Sequence, residues 1–263
     1  MLLLSDSFAG FAGHHTEIAA MFWPEHLLYT RSFRNFLFFL KIFFFFPGMT
    51  LHTFRFPGRM GKKGGEDLAV GLWAVRLDEA VPAEMVRRMW ENLPPRRRAR
   101  LERQQNAEKA LEALAAYWIL RRAVEEQYHW RGSLPPMAWT DSGKPFFPGE
   151  PDVHFSLSHT PGGVLVGLSA LPLGVDLERM RPVHPRLLAR TGCADEADFM
   201  AGWVRREARA KRLGTPVELG RETPLGPEER LWQEEIFPGY HACACFTECG
   251  QPRLCRLRLE DTF

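Results

Sequence analysis

The chain has 263 residues, enough for one large domain or two of modest size, and its 45 % hydrophobic and 25 % charged residues exclude wholesale disorder. The 34 Lys and Arg residues against 32 Asp and Glu residues leave a net charge of only +2, which does not indicate nucleic acid as a partner. The five cysteines are an odd number. Without a clear signal peptide, they indicate reduced thiols in a cytoplasmic protein rather than a disulfide framework.

Residues 1–66 differ in composition from the rest of the chain and are predicted to be an N-terminal extension outside the fold. Residues 36–46 are an almost unbroken run of Phe and Leu, about half as long as a membrane-spanning helix needs to be. Three interpretations stay open: an extension upstream of a working start at Met49 or Met60, a membrane-associating tail, and a helix packed on the domain. We expect the first, in which a chain beginning at Met60 folds and keeps its activity.

From residue 67 onward, hydrophobic periodicity and turn residues predict a mixture of helices and strands. The predicted elements, in chain order, are a buried strand (68–77), a short helix (86–90), a long helix (96–128), a hairpin (153–159 and 164–169), a strand (173–178), a helix ended by Gly214 (199–213) and two strands (240–246 and 253–259). This order predicts an α+β fold of two similar α/β halves, residues 67–172 and 173–263.

Asp176 and Glu178 are the first candidates for chemistry. Residues two apart in a strand face the same side, so Leu173, Val175 and Leu177 are expected to enter the core while both carboxylates project from the opposite face. Two close carboxylates repel each other, and a divalent cation such as Mg²⁺, which prefers hard oxygen ligands, removes that repulsion. The alternative is an ordinary solvent-exposed strand face.

A second candidate group lies on the helix predicted over 199–213. Trp203, Glu207 and Lys211 are each four residues apart and therefore share one stripe of the helix. Next to Asp176 and Glu178, this stripe would supply a third carboxylate and a cation for a metal-bound phosphoanhydride. The alternative is a surface ion pair between Glu207 and Lys211, worth about 0.3–0.5 kcal/mol.

Four segments in this order resemble the 4′-phosphopantetheinyl transferases of the larger, single-chain type, which activates surfactin synthetase. The segments are Gly-Lys-Pro (143–145), Phe-Ser-Leu-Ser-His (155–159), Gly-Val-Asp-Leu-Glu (174–178) and Trp-Val-Arg-Arg-Glu-Ala-Arg-Ala-Lys (203–211). The resemblance covers residues 68–246. It implies two halves related by pseudo-two-fold symmetry, with coenzyme A and Mg²⁺ bound in the cleft between them, and a serine of an apo acyl or peptidyl carrier protein as the acceptor.

The resemblance also implies a role for each matching residue. Asp176, Glu178 and Glu207 would ligate Mg²⁺, Glu207 would also take the proton of the carrier serine, and Lys211 would contact the α-phosphate of coenzyme A. The remaining residues that would bind coenzyme A are Arg97, Arg100, Lys144, Ser158, His159 and Arg206. With both halves in one chain, we expect a cytoplasmic monomer that binds neither nucleic acid nor membrane.

Two features depart from a simple assignment. Glu112 stands where the family usually has a phosphate-binding arginine, so a non-catalytic module that binds carrier protein or nucleotide remains the alternative function. Four cysteines near the C-terminus, Cys243, Cys245, Cys249 and Cys255, invite a zinc interpretation, but their spacing is not a common zinc pattern. We expect Cys243 and Cys245, on one face of a strand, to behave as small hydrophobic residues.

Overall fold

The computed structural model describes residues 70–77, 80–217, 224–247 and 250–263. The predicted extension, including the Phe-rich run at 36–46, lies outside these residues. No helix in the described part combines the length and the apolar character needed to cross a membrane.

The described residues form nine strands and five α-helices, which confirms a mixed α+β fold. The strands are β1 (Gly71–Arg76), β2 (Ala138–Trp139), β3 (Pro145–Phe146), β4 (His154–Thr160), β5 (Gly163–Ser169), β6 (Gly174–Arg179), β7 (Arg230–Phe237), β8 (Tyr240–Phe246) and β9 (Arg253–Leu257). The helices are α1 (Ala83–Glu91), α2 (Pro95–Leu101), α3 (Ala107–Tyr128), α4 (Pro185–Thr191) and α5 (Glu196–Leu213), followed by a 3₁₀ turn at Leu259–Thr262.

Two sheets organise the molecule. The first has the strand order β4-β5-β1-β9 and the second the order β6-β8-β7, while β2 and β3 pair separately. The predicted hairpin is present as β4 and β5, whose turn includes Gly162 at φ 75°. The sequence placed 253–259 as a closing strand after 240–246, but β9 pairs in parallel with β1 of the first sheet. The division at 172/173 and the symmetry of the halves stay predictions.

The single helix predicted over 96–128 is wrong, because the chain forms α2 and α3 with a break at 102–106. Asn106 has an extended backbone (φ −90°, ψ 111°), and its side chain accepts a hydrogen bond from the amide of Lys109 at 2.8 Å. An asparagine in this position satisfies an amide at a new helix start, so α3 begins there rather than continuing from α2. α3 buries thirteen of its residues, which makes it the main helix of the larger hydrophobic core.

Strand β6 joins the two sheets. As an edge strand of the second sheet, it has alternate amides that β8 does not pair. The amides of Val175, Leu177 and Arg179 donate to side-chain hydroxyls of β4 at 3.0, 3.2 and 3.3 Å. We call these hydroxyls, on Ser156, Ser158 and Thr160, the hydroxyl ladder. Through them the edge of the first sheet is held against β6.

Strand β6 also crosses α5 at backbone contact. A Cβ atom added to Gly174 would lie 2.0 Å from the carbonyl oxygen of Ala208 and 2.4 Å from the amide nitrogen of Arg212. These are backbone atoms, which cannot move aside as a flexible side chain can. Glycine at 174 therefore lets β6 and α5 approach closely, and the candidate carboxylates lie on these two elements.

Candidate active site

Asp176 lies at the centre of the candidate site. Its neighbours Val175 and Leu177 are buried in the core as predicted, and Asp176 itself is only 3 % exposed, which excludes a solvated strand face at this position. Its Oδ1 accepts hydrogen bonds from the Ser158 hydroxyl at 2.8 Å and from Lys211 Nζ at 2.6 Å. Its Oδ2 is buried and has no hydrogen-bond partner among the described residues. A buried carboxylate oxygen without a partner is costly unless a cation or donor from outside the chain completes it.

Glu178 lies two residues further along β6 and is half-buried. Trp203 donates its indole N–H to Glu178 Oε1 at 3.3 Å, and Thr160 donates its hydroxyl to Oε2 at 3.4 Å. Burial raises the pKa of Glu178 above its usual value, and the negative charge of Asp176 raises it further. Each carboxylate oxygen has further lone pairs, so both keep capacity for a cation.

Glu207 belongs to the predicted stripe on α5. Burial raises its pKa, the charge of Asp176 raises it further, and the charge of Lys211 acts in the opposite direction. Lys211 forms its ion pair with Asp176 of β6, at 2.6 Å. This contact joins two elements, whereas the alternative considered above was a surface ion pair between Glu207 and Lys211 within one helix. Within the described ranges, no group of three or more His, Cys, Asp or Glu side chains is arranged so that it could hold a metal ion. Ligation of one ion by Asp176, Glu178 and Glu207 therefore stays a prediction.

Lys144 braces the same junction from the loop before β3. Its ammonium donates to the carbonyl oxygen of Lys211 at 2.7 Å and to that of Leu173 at 3.0 Å. These two carbonyls lie on α5 and directly before β6, so Lys144 holds the crossing at Gly174 together. Burial, aided by the charge of Arg212, lowers the pKa of Lys144 to about 8. The predicted contact of Lys144 with coenzyme A is untested by these hydrogen bonds.

We expect Lys144→Met to destabilise the protein, because two partly buried backbone carbonyls lose their donor, at a cost of at most about 1–3 kcal/mol each. Between pH 8 and 10.5 the unfolded chain holds the lysine proton that the folded chain has released, so the native protein gains stability as pH rises. The variant lacks this gain. Urea unfolding at pH 7.5 and pH 10 should therefore show a larger stability difference at pH 10. The control is Lys109→Met on an exposed lysine of α3; a difference independent of pH would contradict the burial of the charge.

Ser158 and His159 are adjacent on β4 but have different partners. The Ser158 hydroxyl is buried and, besides donating to Asp176, accepts from Lys211 Nζ at 3.0 Å. The His159 side chain, on the α3 side, lies with its Nδ1 3.1 Å from Oε2 of buried Glu112. Glu112, which stands where the family usually has a phosphate-binding arginine, thus contacts His159. The structure does not test whether Ser158 or His159 contacts coenzyme A.

The predicted arginines lie in two places. Arg97 on α2 is stacked over the Tyr117 ring at 5.5 Å, and burial lowers the pKa of its guanidinium, an effect that nearby Arg100 increases. Arg206 precedes Glu207 on α5, and its Nε and Nη1 are buried without a hydrogen-bond partner in the part of the chain that the structure describes. Phosphate oxygens are acceptors that would satisfy such donors.

The cysteines separate into two locations. Cys243 and Cys245 are fully buried on β8 against Val204 and Ala208 of α5, whereas Cys255 lies on β9 in the other sheet. Burial raises the pKa of the Cys245 thiol to about 11, which disfavours the thiolate that zinc requires. Cys249 lies outside the described residues. The structure therefore supports the expectation that Cys243 and Cys245 act as core residues.

Two partners of the candidate residues did not follow from the sequence: Thr160 on Glu178, and Glu112 on His159. For Thr160 the signal was present, since Ser156, Ser158 and Thr160 place a hydroxyl at every second position of β4. For Glu112 no local signal existed, because 47 residues separate it from His159.

Comparison with known proteins agrees with the resemblance carried by the four segments. No family model matches the chain. The 4′-phosphopantetheinyl transferase ffp of Bacillus subtilis is 26 % identical over 203 residues, covering 66 % of this chain and 91 % of the relative. The 4′-phosphopantetheinyl transferase Sfp of Bacillus subtilis (strain 168) is 25 % identical over 119 residues, covering 45 % of this chain and about half (53 %) of the relative. The 4′-phosphopantetheinyl transferase gsp of Aneurinibacillus migulanus is 22 % identical over 160 residues, covering 46 % of this chain and 66 % of the relative.

Proposed function

We propose that this chain, which belongs to the 4′-phosphopantetheinyl transferase family, moves the 4′-phosphopantetheine arm of coenzyme A to a serine of an apo acyl or peptidyl carrier protein. The product released is adenosine 3′,5′-bisphosphate. One observation carries the proposal: Asp176 of the Gly-Val-Asp-Leu-Glu segment lies buried against Lys211 of the segment on α5, so two of the four segments that carry the resemblance meet in one site.

The chemistry of the three candidate carboxylates suits a divalent cation. All three are hard oxygen ligands, and Asp176 Oδ2 is a buried oxygen without a partner among the described residues. The raised pKa values of Glu178 and Glu207 reflect burial and repulsion from Asp176, which a cation would relieve. We propose that Asp176, Glu178 and Glu207 hold Mg²⁺. When bound, the ion would stabilise negative charge on the pyrophosphate of coenzyme A.

The nucleophile is a serine of the carrier protein. This chain therefore needs only to position and deprotonate that serine and to neutralise the charge that develops on the phosphate groups. Glu207 would accept the proton of the carrier serine, directly or through water. The serine oxygen forms a bond to the β-phosphorus while the bond from that phosphorus to the bridging oxygen breaks. The electron pair leaves on adenosine 3′,5′-bisphosphate, and Lys211 would neutralise its α-phosphate.

Coenzyme A would lie in a cleft between halves 67–172 and 173–263, related by pseudo-two-fold symmetry. Arg206 has two buried donors that a phosphate would satisfy. Arg97 and Arg100, near Tyr117, would bind the 3′-phosphate. Lys144, Ser158 and His159 complete the proposed group that binds coenzyme A. We further propose that the protein works as a cytoplasmic monomer.

The transfer itself is the test of the proposed function. The full chain, coenzyme A, Mg²⁺ and an apo carrier protein are incubated together, and the carrier is weighed by mass spectrometry. We expect the mass gain of one phosphopantetheine arm, and none on a carrier whose acceptor serine is replaced by alanine. No gain on either an acyl or a peptidyl carrier would contradict the proposal and favour the non-catalytic alternative.

Exposed arginines next to the candidate site offer a docking surface for the carrier, because carrier proteins of this kind are acidic around their serine. These arginines are Arg179, Arg181, Arg186 and Arg190, on or after the end of β6 and on α4. We expect the double variant Arg186→Glu and Arg190→Glu to raise KM for the carrier and leave KM for coenzyme A unchanged. A control reverses two exposed charges elsewhere, Lys109→Glu and Arg258→Glu. An equal effect on both KM values would refute the surface.

A further inference from the structure

The hydroxyl ladder repeats one pattern of contacts at a fixed offset along two strands. Each hydroxyl accepts from the β6 amide 19 residues later: Ser156 from Val175, Ser158 from Leu177 and Thr160 from Arg179. The period of two on β4 matches the period of two on β6, so the three contacts keep the strands in register. Ser156, Ser158 and Thr160 are each only 5 % exposed.

Two of the three hydroxyls make a second contact. Ser158 donates to Oδ1 of Asp176 and Thr160 donates to Oε2 of Glu178, in each case the residue 18 positions later. The residue 18 positions after Ser156 is Gly174, which has no side chain. Two hydroxyls of the ladder, on Ser158 and Thr160, therefore contact a carboxylate as well as a β6 amide, whereas that of Ser156 contacts only the amide among the described residues.

The orientation of the carboxylates follows from these contacts. Ser158 and Lys211 both contact Oδ1 of Asp176, which leaves Oδ2 as the oxygen without a partner among the described residues. Thr160 and Trp203 contact opposite oxygens of Glu178 and hold its carboxylate from two sides. Side chains that fix ligating carboxylates tune metal affinity without touching the metal.

We propose that Thr160 and Ser158 are positioning residues for the divalent cation, and that these two hydroxyls set the affinity for that ion by fixing Glu178 and Asp176. This inference rests on the proposed metal site and extends it to two residues of β4. Ser156, which contacts an amide of β6 but no carboxylate in the described part of the chain, is the internal control.

The test measures Mn²⁺ binding directly, by the loss of the free-ion signal in electron paramagnetic resonance, on the full chain without coenzyme A. Mn²⁺ is chosen because carboxylate sites for Mg²⁺ also accept it. Thr160→Val removes the hydroxyl with little change of shape, and Thr160→Ser keeps it. Ser156→Ala removes the hydroxyl that, within the described chain, accepts only from the Val175 amide. We expect Thr160→Val to weaken Mn²⁺ binding by roughly 10-fold, while Thr160→Ser and Ser156→Ala bind as the unaltered chain does.

Urea unfolding of the same variants separates positioning from folding. Thr160→Val and Ser156→Ala each leave one β6 amide without its acceptor, so both should lower stability to a similar extent. Unchanged Mn²⁺ affinity in Thr160→Val, or an equal loss in Ser156→Ala, would overturn the inference while leaving the proposed function intact. Absence of Mn²⁺ binding by the unaltered chain would instead contradict the metal site and the inference with it.

Discussion

Asp176→Asn is expected to lower kcat/KM for phosphopantetheine transfer by about 10³-fold, the effect of several kcal/mol of lost charge stabilisation. The amide offers a single oxygen and no charge, so the buried Oδ2 position loses its capacity to hold a cation. Lys211 also loses its ion-pair partner, at 2.6 Å in the unaltered chain. Initial rates of carrier modification at saturating Mg²⁺ provide the measurement.

The same variant should change stability little. Loss of the Lys211 contact is destabilising, but the negative charge of Asp176 raises the pKa of both Glu178 and Glu207, so its removal relieves repulsion within the site. Asp141→Asn, in an exposed loop, is the matched control and should keep full activity. A rate for Asp176→Asn within tenfold of the unaltered chain would contradict a metal-ligating role for this carboxylate.

Gly174→Ala is expected to damage both stability and activity through the backbone. The added methyl group would lie 2.0 Å from the Ala208 carbonyl oxygen, so β6 and α5 must separate by about 1 Å or more. Overpacking of this kind costs about 1–3 kcal/mol or more. A displacement of about 1 Å between groups on the two elements also costs about 10²-fold in rate. Thermal unfolding and the transfer assay measure the two effects.

Gly149 gives the matched control for this prediction. A Cβ added there meets no atom within 4 Å, and the backbone does not require glycine. Gly149→Ala should therefore behave as the unaltered chain does. If Gly174→Ala had the same thermal midpoint and transfer rate as Gly149→Ala, the close crossing of β6 and α5 would not be what positions Asp176 against Lys211.

Local patterns predicted the elements whose contacts are local. The alternation around Asp176 placed Val175 and Leu177 in the core, and the structure agrees. Gly214 ends α5 in a left-handed conformation (φ 72°), as its position after the last helical residue indicated. The spacing of four along α5 also placed Trp203 and Lys211 on the face that meets β6, where they contact Glu178 and Asp176.

Elements defined by distant partners could not be predicted in this way. Strand β7 is largely exposed and carries charges in its middle, so it lacks the alternation that marks a half-buried strand. The parallel pairing of β9 with β1 joins segments about 180 residues apart, and nothing within either segment encodes it. Lys144 was a loop lysine by sequence, and its role as a brace depends on carbonyls that only the folded chain brings together.

We propose that Asp176, Glu178 and Glu207 converge on one divalent cation beside the pyrophosphate of coenzyme A. The most direct measurement is a crystal structure of the protein with coenzyme A and Mn²⁺, in which anomalous scattering locates the ion. We expect an anomalous peak within coordination distance of Asp176 Oδ2, of Glu178 and of Glu207, with pyrophosphate oxygens completing the shell. A peak elsewhere, or Glu207 directed away from the ion, would contradict it.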